Sequence, residues 1–340
     1  MTTRRSLLSI ALSGVALAAQ FIAASAQQPG CTGKNMLDEF KSKDAATYTR
    51  IRQSADTAKN GKALLWKIEN DDYPDRPVSY LYGTIHVTDD RLQPFSSAVE
   101  NALSVSRRIA LEVDNMTAER TEEALTAMQS TLLLSNNARL DQLLAKPEAS
   151  RASVMLARTG LPKDWQPRVR PWVAAMLTAT SDCERQRMTA GKLPLDAELA
   201  RIAEDRGVGS FGLESPEMQL GALAAVPDAD QVSLLKASLA AYDRIDDQVE
   251  TLVQLYLARD TGAMWPLQLE LGRIYGADPK AMEQFRQSVL VERNIRMRDR
   301  AMMHLAYGGV FIAIGAMHLP GDTGLVELLK DSGFKLTAIE

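Results

Sequence analysis

Phe311-Ile312-Ala313-Ile314-Gly315-Ala316-Met317-His318 is an apolar run that stops at a glycine and reaches a histidine three residues later. A short, continuous apolar segment of this kind reads as a strand. Near the other end of the chain, Tyr80-Leu81-Tyr82-Gly83-Thr84-Ile85-His86 has the same form. Each motif leads through a loop and a helix to a second strand. In the first unit Phe95, Val99, Ala102 and Leu103 fall at helical spacing before a strand at residues 108–113. In the second, Leu325, Leu328 and Leu329 mark the helix, and residues 334–339 the strand. A strand–helix–strand crossover makes its two strands parallel. Both Gly-x-x-His motifs therefore belong on the carboxyl edge of one sheet, where open α/β sheets build their sites.

Working outward, residues 64–69 and 78–82 read as strands joined across the Pro- and Asp-rich segment 71–77. From about residue 116 to 307 the chain is rich in Ala, Leu, Glu and Arg at spacings of three and four, a helical signature. One strand interrupts it. Leu195, Leu199, Ile202 and Ala203 form a helix stripe, Gly207 can end that helix, and residues 208–213 are extended. The expected architecture is α/β, or α+β: a mixed sheet built from the two strand–GxxH–helix–strand units, with a large helical middle packed around it. We expect one domain over residues 27–340 with a helical insertion at about 116–307.

The chain has three histidines, and two occupy the same place in the two units. His304 lies outside the motif and reads as structural. A lone histidine after a strand is ordinarily a hydrogen-bonded structural residue; two in matching positions point to a shared site. Glu112 and Glu214 each stand at or near the end of a strand, where glutamate is depleted and little water reaches it. The plainer role for either is an edge residue or an ion-pair partner. If His86, His318, Glu112 and Glu214 converge, two imidazoles and one or two carboxylates suit a divalent ion such as manganese, cobalt, zinc or iron. Pro171-Trp172 reads as a packed helix start, and Met297, Met302 and Met303 as core filler.

Arg4 and Arg5, the apolar segment 7–24 and the small residues Ala24-Ser25-Ala26 have the form of a signal peptide over residues 1–26. The other reading is an uncleaved N-terminal anchor. Arg4-Arg5 also fits a loose twin-arginine signal. An exported protein, periplasmic or secreted, is the expectation. Loss of Arg4 and Arg5 would take the formal net charge from −4 to −6. That mild acidity, with no basic run, argues against nucleic acid as a partner. No second segment is long enough for stable membrane insertion once the signal is removed. Cys31 and Cys183 are the two cysteines, and in an oxidising compartment they are expected to bridge.

Between residues 64 and 339 the sequence resembles the TraB/PrgY/GumN group, related to the Tiki metalloproteases. The resemblance rests on Gly83-Thr84-Ile85-His86 and on Gly315-Ala316-Met317-His318 with the following Leu319-Pro320-Gly321. Between them come Leu111-Glu112, Pro171-Trp172, Leu213-Glu214-Ser215-Pro216-Glu217-Met218-Gln219 and Glu292-Arg293-Asn294, in the family's order. It implies a sheet flanked by helices, as in the erythromycin-esterase and ChaN-like folds, and a metal-dependent hydrolytic site. On that basis His86, Glu112 and His318 hold the metal, and Glu214 or Glu112 takes a proton from water. Arg293 or Asn294 stabilises an oxyanion. Pro194 replaces the glycine the family has two residues before Asp196, which weakens any role for Asp196.

The function implied is an exported hydrolase of peptides or another small-molecule substrate. Two others fit the same fold: a protein that captures a peptide or glycan without turnover, and an accessory factor in polysaccharide assembly. An enzyme needs the metal and an open position beside it; a binding protein needs only a groove.

Overall fold

The structure is a computed structural model describing residues 31, 33–113 and 126–340. The expected signal peptide lies outside the described residues. Six strands form one mixed sheet: β1 (Leu65–Glu69), β2 (Ser79–Thr84), β3 (Arg108–Val113), β4 (Gly209–Glu214), β5 (Val310–Gly315) and β6 (Lys335–Ala338), in the order β4-β3-β5-β2-β1-β6. β2, β5, β3 and β4 run parallel, while β1 is antiparallel to both β2 and β6. The α/β expectation is thus met.

β5 lies at the centre because every one of its residues is apolar or glycine, and all six are buried. Alternate strand residues feed two cores. Leu65, Tyr82, Leu111, Phe311 and Ala313 join one cluster with the Ala45–Thr57, Ser97–Val105 and Leu195–Asp205 helices. Trp66, Leu81, Ala110, Ile312 and Ile314 join another with the Glu292–Leu305 and Leu325–Asp331 helices. The period of two in the strands is what divides them. A third cluster, including Leu156, Trp172, Leu177, Leu235 and Leu239, binds the helical middle together. Trp172 packs in this core, as its helix-start position suggested.

Cys31 and Cys183 form a disulfide with Cα atoms 5.8 Å apart, tying the start of the described chain to the Asp182–Thr189 helix. Among the described residues no helix is long and apolar enough to cross a membrane.

Candidate functional site

β2 and β5 are adjacent and parallel, with Gly83 opposite Ile314 and Thr84 opposite Gly315. The two Gly-x-x-His motifs therefore leave the sheet side by side, offset by one residue. Close packing there needs glycine. A Cβ on Gly83 would come within 2.7 Å of Leu319 Cδ1, in the turn that carries the second histidine. β3 flanks β5 on its other side and delivers Glu112; β4 lies beyond and delivers Glu214.

Each imidazole is gripped through Nδ1. His86 Nδ1 lies 2.7 Å from Asp196 Oδ2, and Thr84 Oγ1 donates to the other oxygen of the same carboxylate. His318 Nδ1 lies 2.6 Å from Asn294 Oδ1. The Asn294 amide donates to Thr323 O at 2.7 Å, so its oxygen faces the imidazole and His318 Nδ1 must carry the hydrogen. That leaves His318 Nε2 with its lone pair. The residue is 4 % exposed, and burial pushes its pKa down to about 3, with Glu112 opposing. Asp196, and then Glu112, raise the His86 pKa to about 9. The His86 ring is 60 % exposed, so water weakens that pairing.

Glu112 is the centre of the constellation. Its Oε2 accepts the Gly315 N–H at 2.9 Å and lies 3.9 Å from His86 Nε2. Its Oε1 accepts from Gln219 Nε2 at 2.9 Å and Arg293 Nη2 at 2.5 Å. Burial pushes this carboxyl up, but Arg293 and the two imidazoles outweigh it and hold it well below the usual carboxylate range. Arg293 turns its Nε to Glu214 Oε2 at 2.7 Å, so one guanidinium bridges both glutamates. Arg293 stands in the first turn of the Glu292–Leu305 helix, directly after a π-helical turn at Gln287–Val291.

These groups open onto a cavity of about 930 Å³ walled largely by the helical middle, with Met176, Leu177, Leu220, Leu223 and Leu290 among its apolar residues. His86, Glu112, Arg293 and His318 line it, as do Asp196, Gln219 and Glu184. Glu214 and Asn294 do not: the first lies behind Arg293, its side chain fully buried, and the second behind His318. His304 stacks on Phe211, with ring centroids 3.9 Å apart, outside the site. Gln219 and Glu184 carried no sequence signal strong enough to single them out. Gln219 entered only as the last residue of the Leu213–Gln219 motif, with no role attached.

Among the described residues no three His, Cys, Asp or Glu side chains stand as a ready-made ligand group. The donor chemistry nonetheless fits a divalent ion. Both imidazoles have Nδ1 fixed by an oxygen acceptor, the arrangement that orients metal-binding histidines. A methyl placed on Gly315 would meet Glu112 Oε2 at 3.3 Å, His318 Cδ2 at 3.5 Å and His86 Nε2 at 3.6 Å. The three groups thus surround one spot that only a glycine leaves free. Gly315 has φ −53° and ψ 132°, so alanine is tolerated by the backbone. Gly315→Ala is expected to fold with little change in Tm and to lose on the order of 100-fold in metal affinity, a perturbation at least as large as loss of an orienting partner. Calorimetric titration with Mn²⁺ or Zn²⁺ checks it.

The profile of the TraB/PrgY/gumN family matches residues 64–338, a span that contains both Gly-x-x-His motifs and every side chain of the centre. The chain belongs to the TraB/PrgY/gumN family. A metalloprotease TIKI homolog from Nematostella vectensis is 25% identical over 333 residues, covering 83% of this chain and 68% of that protein. No solved structure matches the chain significantly. In this family member the glycine-bounded histidines and strand-end glutamates come together as one cluster at the sheet's carboxyl edge.

The buried imidazole gives this site a pH signature. Unfolded, His318 titrates near 6.5; folded, near 3. Between those values the unfolded chain binds the extra proton, so stability is lost as pH falls. His86 has the opposite sign: its contribution is present below 6.5 and lost as pH rises towards 9, and solvent screening makes it the smaller of the two. Chelator-treated protein is expected to lose up to about 1.4 kcal/mol per pH unit from His318 on the acid side. Thermal unfolding between pH 7 and 5 should show this slope, and His318→Gln should flatten it.

Proposed function

We propose that this protein is an exported, metal-dependent hydrolase acting on peptides. The observation that carries the reading is the double grip on the imidazoles. Asp196 holds His86 and Asn294 holds His318; both rings line a large cavity, where His86 Nε2 lies 3.9 Å from Glu112. Support comes also from the family and from the likeness to a protein named as a metalloprotease homolog. The Cys31–Cys183 disulfide fits an oxidising compartment outside the cytoplasm.

His86, His318 and Glu112 would hold the ion. A divalent metal there supplies Lewis acidity and lowers the pKa of water. The protein's own groups do the rest. Of the two glutamates only Glu112 faces the cavity, so it is the carboxylate available to ligate or to accept a proton there. Glu214 acts through Arg293, which it holds against Glu112. Arg293 has Nε and Nη2 committed to the two carboxylates, so its role is to fix Glu112. Asn294 fixes the tautomer and tilt of His318, and Gln219 fixes the outer oxygen of Glu112. The apolar walls exclude water from a bound substrate and strengthen every polar contact on the floor.

The deciding measurement is elemental analysis of the purified protein beside a His86→Ala/His318→Ala variant. About one equivalent of Mn, Co, Zn or Fe is expected, retained by the wild type and lost by the variant. A peptide-library cleavage assay with the loaded protein then reads the activity. Folded protein that takes up none of these ions after reloading would leave a non-catalytic peptide- or glycan-binding role in its place.

A further inference from the structure

Glu184 is a buried carboxylate that no feature of the catalytic centre uses. It is 5 % exposed, sits in the first turn of the Asp182–Thr189 helix and lines the cavity. Its Oε2 accepts two hydrogen bonds from Thr88, from the backbone N–H at 3.0 Å and from Oγ1 at 2.8 Å. Among the described residues Oε1 has no hydrogen-bond partner, and no cation pairs with the carboxylate. The arginines around it are committed elsewhere. Arg185 turns to Asp182, Thr180 O and Tyr242, Arg187 to Asp90, and Arg158 to Asp182.

The contrast with Glu112 and Glu214 is informative, because each of those receives a guanidinium. Burying a carboxylate without a counter-charge is costly. The helix N-terminus and Thr88 offset part of that cost. The remainder is left facing a cavity, where a ligand can supply the missing charge. With Oε2 occupied twice, the carboxylate offers one oxygen. That suits a compact ammonium donor better than a guanidinium, whose fork needs two acceptors.

We propose that Glu184 is the recognition carboxylate for an ammonium group of the substrate, either the free α-amino group of a peptide or a lysine side chain. This rests on the peptide-hydrolase reading above. Thr88 stands two residues beyond His86, so the cation would be bound on the wall next to the reactive floor. The apolar walls would hold the neighbouring side chains.

The test is calorimetric binding of three short peptides of alanine and leucine to the full-length folded protein. One has a free amino terminus, one is N-acetylated, and one is N-acetylated with a single lysine. The uncharged acetylated peptide is expected to bind about tenfold or more weakly than whichever peptide presents the recognised ammonium. Which of the two charged peptides gains identifies the source. The preference should vanish in Glu184→Gln and persist in Thr88→Val, which loosens the loop but keeps the charge. Should Glu184→Gln fail to fold, Glu184→Asp, with the charge withdrawn by one methylene, must show a smaller preference. Equal affinity for all three peptides, absence of binding, or a preference that survives Glu184→Gln overturns the assignment. Product analysis of the same mixtures separates the two readings. Cleavage without preference removes the role of Glu184 and keeps the hydrolase; preference without cleavage does the reverse.

Discussion

Arg293→Met is expected to cost about 3–5 kcal/mol of folding stability, the penalty for leaving buried charge without its partner. Two carboxylates depend on this one guanidinium. Glu112 is 6 % exposed and Glu214 1 %, and Arg293 itself is 4 % exposed, so water can replace little of what the guanidinium supplies. Arg296 approaches Glu214 only at 3.5 Å and does not reach Glu112 among the contacts seen here. Urea midpoints of wild type and variant measure the loss. The cause is separable from lost packing: Glu112→Gln/Glu214→Gln added to Arg293→Met removes both stranded charges and should recover most of it. Arg293→Lys should recover little, because an ammonium on a flexible stem cannot span two carboxylates with fixed geometry. A variant Arg293→Met as stable as wild type would mean that the glutamates escape to solvent and that the bridge is not a buried one.

His318→Ala is the second large effect, this time on chemistry rather than folding. Removing the imidazole deletes a donor and frees Asn294, while β5 and the 3₁₀ turn that carries the residue keep their backbone bonds. Metal uptake should fall below detection, and hydrolysis by at least about 10³-fold, roughly 4 kcal/mol of transition-state stabilisation. The fold should be retained, with an unchanged far-UV circular dichroism spectrum. Asn294→Ala probes the same imidazole from behind and should cost about 10–100-fold in metal affinity, the usual size of an orienting contact. If His318→Ala binds metal at the wild-type stoichiometry, His318 is outside the site and the Nδ1 grip by Asn294 serves structure alone.

Much of this arrangement was legible in the residues. The apolar run of β5 read as a strand, and a glycine followed by histidine three residues later marked where it ends. The same pattern in β2, with a crossover after each, put both histidines on one edge. Glu112 stood out because a charged residue inside an apolar strand needs a partner. Arg293 and Asn294 were legible only through the family resemblance, which implied a role at the site without saying which neighbour each would take.

Less was legible for residues whose role depends on distant partners. Asp196 looked insecure because Pro194 stands where glycine was expected. Yet Pro194 is the N-cap residue, with φ −58° and ψ 156°, and the first turn beyond it brings the Asp196 carboxylate to His86 and Thr84. Glu214 read as an equal of Glu112 because both end parallel strands. They differ in sheet order: β3 borders β5, and Glu112 accepts the N–H of its Gly315, while β4 is one strand farther out and its Glu214 lies behind Arg293.

The sequence by itself therefore determined the sheet's core, the edge on which chemistry would gather, and the residue types gathered there. Strand burial and crossover handedness are local or chain-order properties, and they are written in apolar runs and their spacing. The tertiary structure decided which groups touch. The Gln219–Glu112, Asp196–His86 and Glu184–Thr88 contacts join residues 107, 110 and 96 positions apart. No local propensity encodes such pairs. They follow from how the helical middle packs against the carboxyl edge, and that packing also leaves Glu184 without a cation beside the cavity.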